Sequence, residues 1–149
     1  MINRPPQESR DSLVKHGLVA LVAAVLVYAV AFFVVEHLRT RRGGWQLTFQ
    51  SDNEGHLQLV VAQPKLKIAD VRFTFVKTSG PPSTPSRSII FNSPITNVPF
   101  GRVVYLDTTF LPGSIVLDLF NHQIQLLPRV LFVDRQEIPW QSGAEYRLP

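Results

Sequence analysis

Cysteine is absent from the chain. That excludes disulfides, cysteine nucleophiles and thiolate metal sites. A small domain without a disulfide needs a substantial apolar core, or a partner that completes it. The 149 residues also lack a phosphate-cradling glycine loop, a serine in a strand–elbow–helix setting, an arginine-rich run and an internal repeat. Phosphate binding, serine nucleophiles and nucleic-acid recognition therefore have no motif to rest on.

Charge is missing in one place above all. From Gly17 to Val35 no side chain is charged, and Tyr28 carries the only hydroxyl. Nineteen residues at 1.5 Å each make a helix of roughly 28 Å, close to the hydrocarbon thickness of a bilayer. A buried helix in a soluble domain would need other elements to enclose it, and it would normally show a polar stripe. A cleavable signal is the stronger rival. Arg4, Arg10 and Lys15 precede the run, and Ala29-Val30-Ala31 offers a small-x-small site. Yet Phe32, Phe33, Val34 and Val35 continue the apolar run past that site, as a span requires. The expected order is a polar basic tail over 1–16, a transmembrane helix over 17–38, a basic and glycine-containing joint over 39–44, and a β domain over 45–149.

Arg39, Arg41 and Arg42 follow the span at headgroup depth, where their stems stay in the apolar layer while the guanidinium groups reach phosphates. Gly43-Gly44 reads as a flexible joint. Trp45 is either an interfacial anchor or the first core residue of the next domain. Three basic side chains on each side of the span leave its orientation to one consideration. A short basic tail before a first hydrophobic segment places the N-terminus in the cytoplasm. The expected location is thus the inner (plasma) membrane, with the β domain periplasmic or otherwise extracytoplasmic. The dense Arg39–Arg42 cluster argues for the reverse.

The formal charge of +4 is unevenly spread: residues 1–42 carry +3 and the remainder +1. Anionic headgroups account for the excess beside the membrane, and the outer domain has no basic field suited to nucleic acid.

After the glycine pair the pattern becomes alternating. Trp45, Leu47 and Phe49 share one side of a strand, SDNEG at 51–55 turns the chain, and Leu57, Leu59 and Val61 alternate in a second. The next strand starts with Leu66 and Ile68 and resumes with Val71, Phe73 and Phe75, so the slip in parity at Ala69-Asp70 predicts a bulge. Residues 77–88 form an exposed proline-containing loop, SIIF a short strand, and 92–101 turn chemistry. Then come RVVYLDTTF, a turn at Leu111-Pro112-Gly113, and SIVLDLF with Ile115, Leu117 and Leu119 inward. Asn121-His122 is the expected two-residue hairpin turn, and Asp134-Arg135 another. Residues 136–140 form a late edge strand interrupted by Pro139. Eight or nine short strands with no second helical period predict a small, mainly antiparallel sandwich or partly open barrel.

Candidate chemistry is sparse. His16 and His37 lie at opposite ends of the span, while His56 and His122 fall at turns without a second histidine at ligand spacing. No metal is expected. Asp107 and Asp118 interrupt apolar strands and, with His122, are the only polar-site candidates. Convergence on one cleft would make an acid/base pair or a calcium corner. Otherwise Asp118 faces solvent or an ion pair, and Asp107 caps the Thr108-Thr109 turn. In the span, Ala20 and Ala24 form a small-x-x-x-small pair extended by Tyr28 and Ala31, a face that lets another helix approach. The Tyr28 hydroxyl would donate across that contact, or to a cofactor held by a neighbour; this chain alone is expected to bind none. Pro81, Pro82, Pro85 and Arg87 mark a partner-contact loop. The expected role is a non-catalytic, single-pass accessory subunit docked on a larger membrane assembly. The alternatives are a tethered module that binds a soluble protein, glycan or lipid, and an anchored hydrolase.

Overall fold

The computed structural model describes residues 8–79 and 85–149. The chain divides into two units, Met1–Leu38 and Arg39–Pro149. Helix α1 runs from Glu8 to Thr40, with all but its last two residues in the first unit. It begins before Gly17. Extending a nucleated helix by two or three turns is cheap, which a search for apolar residues alone does not register. The 28 residues Leu13–Thr40 are long and apolar enough to cross a membrane. The helix ends with the Gly43 N–H donating to the Thr40 carbonyl at 3.0 Å. Gly43 has φ +67°, a left-handed value that suits glycine past a helix end.

The second unit is a small β-sandwich. Its strands are β1 (Gln46–Ser51), β2 (His56–Gln63), β3 (Ile68–Ser79), β4 (Arg87–Ile90), β5 (Arg102–Asp107), β6 (Ser114–Leu119), β7 (His122–Leu126), β8 (Leu131–Val133), β9 (Gln136–Ile138) and β10 (Glu145–Leu148). One sheet has the order β10-β3-β2-β1-β4, the other β5-β6-β7-β8-β9. Every pairing is antiparallel except β3 with β10, which is parallel.

The alternation of apolar residues becomes one shared core. Trp45, Leu47, Phe49, Leu59, Val61, Val71, Phe73 and Phe75 from the first sheet pack with Ile115, Leu117, Leu119, Ile124, Leu126 and Leu131 from the second. Burying side chains of this size contributes ~1.5–3 kcal/mol each. The parity slip in β3 is a bulge. Val61 pairs with Val71 and Gln63 with Ile68, so one extra residue sits on β3, and Asp70 takes φ +54°. Leu66, by contrast, belongs to a single 3-10 turn over Pro64–Leu66 and not to the strand.

Two hairpins close with two-residue turns in which both residues have positive φ. Asp134-Arg135 is one, as spacing predicts. The other is Phe120-Asn121, one residue earlier than the expected Asn121-His122, because His122 already pairs with Leu119. The Phe120 ring packs on Phe75 and Phe100 at 5.1 and 5.5 Å, which holds this residue in a backbone conformation that its type rarely adopts. The turn before β6 contains a cis Leu111–Pro112 bond, and Gly113 has φ +74°.

The glycine pair is not a loose joint within its unit. Gln63, only 1% exposed, donates from Nε2 to the carbonyls of Gly43 and Gly44 at 3.0 and 2.8 Å. The Gly44 N–H donates to Asn92 Oδ1 at 2.7 Å, and a Cβ at Gly44 would collide with the Phe91 carbonyl. Trp45 takes the second of its two expected roles. It is fully buried, stacks on Trp140 at 5.2 Å and donates its indole N–H to the Gly113 carbonyl at 3.1 Å. Segment 92–101 has turn chemistry but also covers the core, with Ile95, Val98 and Phe100 packed against it.

Candidate functional site

One polar arrangement surrounds His122, the first residue of β7. Register with Leu119 turns its ring to the core side of the sheet, where the Phe75 ring lies 6.2 Å away. His122 Nδ1 is 2.7 Å from Asp134 Oδ2, and Nε2 is 2.9 Å from the Pro149 carbonyl oxygen. The other carboxylate oxygen of Asp134 accepts the Gln123 N–H at 2.9 Å. Burial pulls the His122 pKa down, but its hydrogen bonds to Asp134 and Pro149 and the Asp134 charge outweigh that, so it lies above the usual 6.5 despite opposition from Lys77. Burial pushes Asp134 up, yet the bonds from His122 and the Gln123 N–H hold it below the ordinary carboxylate range. Beside the ring, Phe75, Lys77, Phe120, Asn121 and Pro149 help line a cavity of about 550 Å³.

Asp118 lies on the other face of the same sheet. It accepts from Arg102 Nη2 at 2.7 Å and from Nε at 3.0 Å, and borders a second cavity of about 630 Å³ with Asn121, Gln123, Asp134 and Arg135. Asp107 sits at the far end of the β5–β6 ladder, opposite Ser114, about 13 Å along the strand from Asp118. It accepts the Thr109 N–H at 2.9 Å, and that bond depresses its pKa. Asp107, Asp118 and His122 therefore do not converge, and the acid/base pairing considered for them has no geometry behind it.

Asp52, Glu54 and His56 cluster at the β1–β2 turn. Asp52 Oδ1 accepts the Glu54 and His56 N–H groups at 2.9 and 2.8 Å, and Oδ2 lies 3.2 Å from His56 Nδ1. These bonds account for the cluster as turn structure.

On α1, Ala20, Ala24, Tyr28 and Ala31 are all exposed, and Tyr28 stacks on Phe32 at 6.4 Å. Arg39, Arg41 and Arg42 are exposed as well. Pro85 and Arg87 are exposed before and at the start of β4, while Pro81 and Pro82 lie outside the described residues. Asp134, Pro149 and Gln63 escape sequence reasoning. Asp134 and Pro149 stand 12 and 27 positions from His122, and only the folded sheets bring them to it.

The fold defines a class: a long apolar N-terminal helix followed by a small two-sheet β domain. Comparison with protein-family models, with curated proteins and with solved structures gives no match.

Proposed function

We propose that the chain is a non-catalytic, single-pass accessory subunit that docks on and stabilises a larger membrane protein assembly. The observation that carries this reading is the stretch Leu13–Thr40, apolar enough to cross a bilayer and with none of its most apolar window buried. Lipid, or the helix of a neighbour, is the solvent such a surface requires. Ala20, Ala24 and Ala31 give a neighbouring helix room for close approach, and Tyr28 brings a hydroxyl to that contact. One helix with no charge between Gly17 and Val35 lines no transport path by itself, which favours a role beside other subunits. In this reading α1 sits in the inner (plasma) membrane, the N-terminus is cytoplasmic and the β domain is periplasmic.

The test is gentle detergent extraction at native expression, followed by size analysis and mass-spectrometric identification of what co-migrates. Stable co-migration with integral membrane proteins is expected; a clean monomer would overturn the proposal.

A further inference from the structure

His122 joins parts of the sandwich that the hairpins leave separate. Its strand, β7, belongs to one sheet, whereas Pro149 follows β10 of the other. Asp134 occupies the turn between β8 and β9. β10 is a strand of four residues at the edge of its sheet, paired among the described residues only with β3, and Leu148 and Tyr146 secure its inner side against the core. The contact with His122 is the tether just beyond its end.

Both partners of the ring are acceptors, a carboxylate oxygen and a carbonyl oxygen. A neutral imidazole has one N–H and satisfies one of them; an imidazolium satisfies both. Between the two, Asp134 keeps the proton donor: its contact is the shorter, 2.7 Å against 2.9 Å, and the Gln123 N–H holds its carboxylate in place. We propose that His122 is a proton-operated latch: protonated, it clamps the end of β10 to the β8–β9 turn, and neutral, it lets go of Pro149 and opens the cavity that Pro149 walls.

The charged groups around the ring are few. Asp134 faces it from the β8–β9 turn and Lys77 from β3. On β10, Glu145 and Arg147 lie 3.5 Å from each other. The net direction of the His122 shift is upward. The clamp is thus complete below the unfolded value of about 6.5 and is lost as pH rises through the higher folded value.

The test uses the full chain in lipid nanodiscs. Nitrogen NMR of labelled histidine follows the His122 ring from about pH 5 to about pH 9, a range that brackets its titration. Hydrogen exchange of a peptide covering β10 is measured over the same range and corrected for the intrinsic pH dependence of exchange. Protection of β10 is expected to fall about tenfold as the ring loses its proton, the effect of one lost charge-assisted hydrogen bond, and to stay flat in His122→Gln. Asp134→Asn leaves the ring and Pro149 in place, so it keeps the proposal testable if His122→Gln does not fold. In that variant the ring midpoint and the pH at which protection falls should drop together. A ring already neutral at the acidic end, β10 protection unchanged across the ring titration, or a midpoint that Asp134→Asn leaves unmoved would each overturn the latch.

Discussion

Gln63 occupies the end of β2 and uses both ends of its amide. Nε2 serves the Gly43 and Gly44 carbonyls, and Oε1 accepts the Lys65 N–H at 3.1 Å. Replacing it with leucine keeps the volume but leaves three backbone groups without these partners. Gln63→Leu should therefore cost about 2–4 kcal/mol. Urea unfolding followed by tryptophan fluorescence measures this, since Trp45 and Trp140 are the only two tryptophans and both lie in the β unit. The same readout gives the pH sign for Asp107. The Thr109 N–H holds its pKa down, so its contribution is present above the unfolded value of 3.8 and disappears as pH falls through the lower folded value. Asp107→Asn should accordingly lose less stability on acidification than the parent chain; an equal or larger loss would show that this carboxylate does not support the turn.

At the scale of elements, the alternation of Trp45, Leu47 and Phe49, and that of Ile115, Leu117 and Leu119, was legible because one face of each strand is buried and residue parity maps directly onto that face. The bulge was legible for the same reason. Hairpin register was less so. Asn121 marks a positive-φ position, but its partner in the turn is Phe120, whose ring contacts with Phe75 and Phe100 override local preference. Phe120→Gly isolates the two effects. Relief of the left-handed backbone returns about 1–2 kcal/mol, while loss of a half-buried aromatic ring removes about 2–3 kcal/mol. A modest net drop in the thermal midpoint is expected, and a rise would mean that the ring contacts contribute little. β10 was invisible because Glu145–Leu148 has no apolar run, and its pairing with β3 is set by distant residues. The His122 cluster was hidden likewise: its acid and its carbonyl acceptor come from other turns and the other sheet.

At the scale of the whole molecule, the apolar helix was the most legible feature, since length and absence of charge are read directly from composition. The membrane role proposed for it makes two sharp predictions. Val27→Arg places a charge near the middle of Leu13–Thr40 at a cost of about 2.5–3.5 kcal/mol for insertion. The variant should be released by alkaline carbonate to a larger extent than the parent, which should stay with the membrane; parent protein found in the wash would remove the basis of the proposed role. The natural absence of cysteine makes topology simple to read. Asn3→Cys should be protected from an impermeant thiol reagent in intact cells, and Gln141→Cys should react. The opposite result would invert the assignment.

The parallel β3–β10 pair joins Arg72 to Glu145, 73 positions later. During synthesis, β3 must wait with one row of amides and carbonyls bare until residues 145–148 have emerged. A chain cut short before Glu145 would present that row beside apolar strands, the geometry that recruits another unfinished copy. The birth of this domain, more than its mature form, is when it most needs protection from its own kind.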